Sequence, residues 1–183
     1  VPAVPPLPTS PHHGAVTGVT GSGHVLRAGD IGILIDCGLF QGDEASASGG
    51  ADAEQVEIEF PIDHIRALVV THVHIDHVGR LPYLMAAGFQ GPILCSEPSA
   101  RLLPLVMEDA IKLGVTRQQR FIERFLEIRQ QRIVALPYGQ WHTVDAGKPG
   151  LAIKLKPAGH VLGSAYVECR IGRGGAAQRV VFS

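Results

Sequence analysis

Cysteine is scarce in this chain. Cys37, Cys95 and Cys169 are the three among 183 residues, far apart and with no paired spacing. That argues against a disulfide framework and against a cysteine-based zinc ribbon, and it fits a reducing, cytoplasmic setting. Long apolar runs are missing as well. No stretch approaches the roughly 20 uninterrupted apolar residues of a membrane span, so no membrane partner is expected. The N-terminus lacks a charged leader followed by an apolar core, so no secretory signal is read there. An excess of one charge is also absent. The formal net charge is −1, and the bulk electrostatics advertise no polyanionic partner. What the chain does have is an apolar content of 45%, enough for a real core in one ordinary domain.

Charge is unevenly spread. From Asp30 to Asp63 there are nine acidic residues and no Lys or Arg; from Lys148 to Arg179 there are six basic residues and one acid, Glu168. Runs of this kind usually make solvated surface.

Along the chain, Val1 to Pro11 holds five prolines and no periodic pattern, which predicts an extended or disordered leader over residues 1–11. Residues 12–183 then form the folded part. Val16–Thr20 and His24–Arg27 alternate as strands, Ala28-Gly29-Asp30 is a turn signal, and Ile31–Ile35 reads as a buried strand. Residues 42–55 are rich in Gly, Ala, Ser and acids, hence a surface loop. Ile65–Val70 is a second buried strand. The spacing predicts a helix over Val78–Ala87, with Leu81, Leu84 and Met85 on one face and Gly88 as its stop. Pro92–Cys95 is a short strand. Helices are expected over Ser99–Leu113 and Thr116–Arg132, the second with Phe121, Phe125 and Ile128 at helical spacing. Strands are expected near Ala152–Lys156, Ala165–Ile171 and Arg179–Phe182. The pattern implies strands layered with outer helices, an α/β (α+β) class.

The densest chemistry lies in Thr71-His72-Val73-His74-Ile75-Asp76-His77, directly after the apolar segment Ala67–Val70. Residues two apart on an extended segment point the same way, so His72, His74 and Asp76 can converge. His77 turns onto the next segment of the chain. Neutral imidazole suits zinc and iron, and carboxylate accepts the same ions. No packing argument wants so many titratable groups beside a core. The run therefore reads as a metal-binding loop.

A catalytic zinc site commonly has three protein ligands and one open position. His160, in Ala158-Gly159-His160-Val161-Leu162-Gly163-Ser164, is the best non-local candidate for the third. It follows a strand end and has small flanking residues that permit close backbone approach. Asp36 closes a buried strand, where it is either a turn former or an acceptor that orients a ligand histidine. Histidines 12, 13, 64 and 142 read as leader or surface residues, and His24 as a strand residue that could be buried. Cys37 and Cys95 read as small buried apolar groups rather than nucleophiles.

Asp36, the His72-x-His74-x-Asp76-His77 run and His160 in Ala-Gly-His stand in the order of the first three motifs of the metallo-β-lactamase superfamily. The flanks resemble its β-CASP group of RNA-processing nucleases: Val19-Thr20-Gly21-Ser22, Asp36-Cys37-Gly38-Leu39-Phe40-Gln41-Gly42, His77-Val78-Gly79-Arg80-Leu81-Pro82, Tyr138-Gly139-Gln140-Trp141, and His160 through Ala165. The likeness covers Ala15 to Ser183. It implies an αββα sandwich and a two-metal phosphodiesterase. His72, His74 and His160 would hold a first Zn2+, and Asp76 and His77 a second. Asp76 would also sit near the attacking water, with Asp36 supporting the network; these two are the catalytic candidates. In the family, the strand matching Arg179–Ser183 leads into a Gly-Asp pair whose Asp bridges both metals, and a β-CASP domain comes after it. The resemblance thus implies that 12–183 is an N-terminal, partial domain, with two zinc ions in the full-length protein and one here. RNA is the implied substrate, and Arg80, Arg117, Arg120 and Arg124 could line a basic channel, although helix-surface solvation is the plainer role for the last three. An exposed sheet edge would favour homo-oligomers or packing against the C-terminal part. Two other readings stay open: a thioester, lactone or β-lactam hydrolase of the same superfamily, and a catalytically silent RNA-processing subunit.

Overall fold

The apolar runs of this chain form two sheets stacked face to face. The computed structural model describes residues 8–13, 21–39, 58–112 and 132–183. The first sheet has the order β1-β2-β3-β4-β5, formed by His24–Ala28, Ile31–Ile35, Ile65–Val69, Ile93–Ser96 and Ile133–Leu136. β1 pairs antiparallel with β2, and β2 to β5 run parallel. The second sheet is an antiparallel meander of β6 Trp141–Asp145, β7 Leu151–Pro157, β8 Ala165–Ile171 and β9 Gln178–Phe182. The helices are α1 Ile75–Val78, α2 Leu81–Ala86 and α3 Glu97–Lys112.

Two apolar clusters explain the layering. One lies between the first sheet and the helices, joining Leu34, Leu68 and Ile93 to Val78, Leu81, Leu84, Leu103 and Met107. The other lies between the sheets, joining Ile33, Ile35, Val69 and Leu94 to Ile153, Leu155, Val167 and Cys169. The central strands of the first sheet are thus covered on both faces, which is why β2 reads as a continuous apolar run. β8 has one covered face, so its burial alternates strictly along Ala165–Ile171. Each fully buried Leu or Ile contributes about 1.5–3 kcal/mol relative to exposure. Among the described residues the layers are helix, sheet and sheet, within the α/β class expected.

Several local expectations change. The helix expected over Val78–Ala87 is two short helices broken at Gly79-Arg80, with Pro82 in the first turn of α2. Proline is welcome there because a first-turn N–H has no intrahelical partner. The strands β5 and β6 were not anticipated. Ile133–Leu136 is only four residues long and sits at a sheet edge, and Trp141–Asp145 is mostly polar. Residues 8–13 lie along β1, with Thr9 and Arg27 exchanging backbone hydrogen bonds and the Val25 N–H reaching the Pro11 carbonyl. The expected strand over Val16–Thr20, the loop over 42–55, and the core residues Phe121, Phe125 and Ile128 lie outside the described residues, as do Arg117, Arg120 and Arg124.

Candidate metal centre

The site gathers where strands of both sheets end. β2 ends just before Asp36, β3 runs on toward Thr71 and the histidine loop, and the β7–β8 turn carries His160. The Ala165 N–H donates to the Thr71 carbonyl at 2.9 Å, tying the second sheet's turn to the loop after β3.

Asp36 is 2% exposed and has φ 60, the left-handed region in which Asp and Asn are the better tolerated non-glycine residues. That conformation turns its carboxylate back over the end of β3. It accepts three hydrogen bonds: from the Thr71 N–H at 2.8 Å, the Thr71 hydroxyl at 2.7 Å and His77 Nδ1 at 2.7 Å. The Thr71 hydroxyl also lies 3.1 Å from His72 Nδ1. Its one hydrogen goes to Asp36, so His72 Nδ1 must be the donor in that contact. Asp36 therefore fixes two imidazoles, His77 directly and His72 through Thr71, and in both it leaves Nε2 as the free donor atom.

Backbone contacts hold the loop itself. The Cys37 N–H donates to the His77 carbonyl at 2.7 Å, and the Leu39 N–H to that of Ile75 at 3.1 Å. The Ser22 N–H donates to the Asp76 carbonyl at 2.9 Å. Gly38 stands against this carbonyl so closely that a Cβ would run into it. Buried Arg80 donates from Nε to the Gly38 carbonyl at 2.6 Å.

His72, His74 and His160 meet, with one ring nitrogen of each lying within 4.8 Å of the others. His160 Nε2 is 3.3 Å from His74 Nδ1. The three rings stand nearly perpendicular to one another, with centroids 4.8–5.0 Å apart. His72 is buried while His74 and His160 are exposed, so the cluster opens to solvent on one side. Among the described residues this is the group able to hold an ion through three donors. Asp76 and His77 lie next to it: His77 Nε2 is 3.6 Å from Asp76 Oδ2, and the His72 and His77 ring centroids are 4.0 Å apart.

Protonation favours ligation at His72. Burial, then the charge of His77 and of the neighbouring His74 and His160, lower its pKa to about 4 against the pull of Asp36. At neutral pH it is the uncharged imidazole a metal requires. His77 moves the other way. Burial lowers its pKa, but the hydrogen bond and charge of Asp36, with Asp76, more than offset this and raise it.

The other histidines stay apart from the three-donor cluster. His12 and His24 meet through their Nδ1 atoms at 2.6 Å, His13 stacks on Phe60 at 4.0 Å, and His24 is half-buried. Cys37 and Cys95 are buried, and burial pushes both thiols up to about 12, so neither is a nucleophile. Thr71 is a residue of the candidate site that sequence reasoning missed. Its position between the strand and the first histidine was visible, but its link between Asp36 and His72 needed the fold.

Residues 16–170 match the family model described as the Metallo-beta-lactamase superfamily. Ribonuclease TTHA0252 of Thermus thermophilus is 38% identical over 157 residues, 84% of this chain and 33% of that protein. Transcription termination factor FttA of Cenarchaeum symbiosum is 34% identical over 152 residues, 82% of this chain and 23% of the relative. The chain thus spans a third or less of the length of these curated relatives. Among solved structures, the subclass B3 metallo-beta-lactamase MEM-A1 from a soil metagenome library superposes with a TM-score of 0.56 at 17% identity. The superposition covers 99% of this chain and 61% of that one, a likeness of fold alone.

Proposed function

The chain belongs to the metallo-beta-lactamase superfamily, and from that premise we propose that it is the metal-holding part of a hydrolase that cuts phosphodiester bonds in RNA. The observation that carries the reading is the convergence of His72, His74 and His160 beside Asp76 and His77.

The donor set fits a zinc ion. Bonds of 2.0–2.1 Å in a tetrahedron imply donor separations of about 3.3 Å; His160 Nε2 and His74 Nδ1 stand 3.3 Å apart, and the three donors together lie within 4.8 Å, so the His72 ring would draw in on binding. His72, His74 and His160 would hold the first Zn2+, with Asp76 and His77 offering two donors to a second. When bound, such ions lower the pKa of a water to about 7 and neutralise charge on phosphate oxygens. The protein's own residues supply the geometry. Asp36 locks the His77 ring and, through Thr71, the His72 tautomer. Asp76, whose Oδ2 lies 3.6 Å from His77 Nε2, would also sit near the attacking water and help orient it.

RNA as substrate rests on the names of the relatives, a ribonuclease and transcription termination factors, and on the β-CASP-like flanks. The test is an assay of the full-length, metal-loaded protein on single-stranded RNA and on thioester substrates. The reading expects RNA cleavage that a chelator stops and that His72→Ala abolishes. Thioester turnover without metal-dependent RNA cleavage contradicts it.

A further inference from the structure

His72 and His74 lie two residues apart in one loop, but His160 comes from an exposed turn 86 residues beyond His74. The turn is closed on itself by Ser164. Its N–H donates to the Val161 carbonyl at 2.9 Å, its hydroxyl accepts the Val161 N–H at 2.8 Å, and its carbonyl accepts from the Ala158 N–H and the Tyr138 hydroxyl, each at 3.1 Å. A closed turn is rigid but still needs attachment to the first sheet. One attachment is the Ala165 N–H on the Thr71 carbonyl. The other is the carbonyl of Gly163, which accepts the hydroxyls of Ser96 at 2.6 Å and of Ser99 at 3.0 Å.

Resting on the metal-site reading above, we propose that Ser96 and Ser99 are positioning residues for His160, acting through the Gly163 carbonyl. Both serines are 0% exposed, so their hydroxyls are committed to protein partners. Ser96 has a second task, because its oxygen accepts the Ser99 N–H at 3.3 Å and so caps the first turn of α3. The Ser99 hydroxyl makes no such contribution to the helix, and its hydrogen bond runs to the His160 turn. Gly163, at φ 91, presses so close that a Cβ would lie 2.6 Å from Ser99 Oγ and 2.8 Å from its nitrogen. The start of α3 is thus a seat shaped for this turn. Two hydroxyls on one carbonyl fill both of its lone pairs. With one removed, the turn keeps its internal closure but gains freedom to swing His160 away from His74.

The experiment is a double-mutant cycle on metal-free protein, with Zn2+ titrated against a chromophoric chelator. Ser99→Ala is expected to weaken binding about tenfold in the native background, the lower end of what lost ligand-orienting partners cause. In a His160→Ala background it should change nothing beyond about twofold, because there is no His160 left to position. Co2+ absorption gives a second readout, in which Ser99→Ala shifts the tetrahedral band of the native protein and leaves that of His160→Ala unmoved. Should Ser99→Ala not fold, the near-isosteric Ser99→Cys, with its weak S–H donor, carries the same comparison. An equal loss in both backgrounds, or no loss in the native one, overturns the proposal. If Zn2+ does not bind the native chain, or His72→Ala leaves binding intact, the metal-site reading itself fails. If His160→Ala weakens binding and Ser99→Ala does not, only the positioning role fails.

Discussion

Replacing Asp36 by Asn keeps the shape of the side chain and its tolerance of the left-handed backbone, and it changes which atoms can accept. One amide oxygen still takes the Thr71 N–H now at 2.8 Å. The amide nitrogen then faces the Thr71 hydroxyl and His77 Nδ1, both at 2.7 Å from the native carboxylate. His77 must answer a donor with an acceptor. It adopts the tautomer with the proton on Nε2, the nitrogen otherwise left free to hold a metal. The relay to His72 reverses in the same way. Losing such an orienting partner weakens metal binding about 10–100-fold, or about 1.4–2.7 kcal/mol at 1.36 kcal/mol per decade. At a pH high enough that His77 is neutral in the native fold, folding of the metal-free protein should change little. Asp36→Ala behaves differently. It leaves the Thr71 N–H without an acceptor, about 1–3 kcal/mol, and puts Ala in a conformation that costs about 1–2 kcal/mol. The metal-free Ala variant should therefore be about 2–5 kcal/mol less stable in urea. Chelator competition reads the affinity, and urea melts with metal removed read the fold. The reasoning is refuted if Asp36→Asn binds zinc within about twofold of the native protein, or if Asp36→Ala is as stable as Asp36→Asn.

Other substitutions and pH test neighbouring parts of the account. Gly38→Ala forces the Asp36–Leu39 segment away from the Asp76 carbonyl. It should cost about 3 kcal/mol or more and abolish zinc uptake, whereas Gly175→Ala, with open space around it, should move neither by more than about 0.5 kcal/mol; thermal melts and zinc titration check both. In metal-free protein, the lowered pKa of His72 makes stability rise as pH climbs from about 4 toward 6.5, because the unfolded chain binds the extra proton there. The raised pKa of His77 acts oppositely: its contribution is fully present below 6.5 and is lost as pH rises through the folded value. Melting temperature against pH, with chelator present, should bend downward above 6.5 in the native protein, and Asp36→Asn should lose that bend.

Much of the site was legible because its residues are local. Alternation along His72-x-His74 survives as an extended segment, and Asp76 and His77 come next, on the first turn of α1. His160 was legible only as a candidate, since nothing in its own neighbourhood says that β7 and β8 bring it to His74. The hydrogen bonds of Thr71, Ser96 and Ser99 around the site were not legible. A hydroxyl residue at a strand end looks the same whether it faces water or a partner far along the chain. In the fold, buried strands such as Ile31–Ile35 announced themselves by composition. Trp141–Asp145 did not, because its outward side packs Trp141 under Lys154 and Arg170, at 4.6 and 4.5 Å, rather than into an apolar layer. The break at Gly79-Arg80 was hidden by an apolar spacing that runs through both α1 and α2. The first helix ends at Gly79, which packs so closely on the Ile75 carbonyl and Leu39 that a side chain would not fit there.

The central claim is that His72, His74 and His160 hold one metal ion together. Zinc and iron content per chain, measured after metal loading and gel filtration, tests it most directly. The account predicts at least about one ion per native chain after the column, its loss in His72→Ala and His74→Ala, and in His160→Ala binding weakened enough that the ion is shed on the column although excess Zn2+ still titrates in. A native chain with well under one ion, or a His160→Ala variant that retains the native content and affinity, would contradict it.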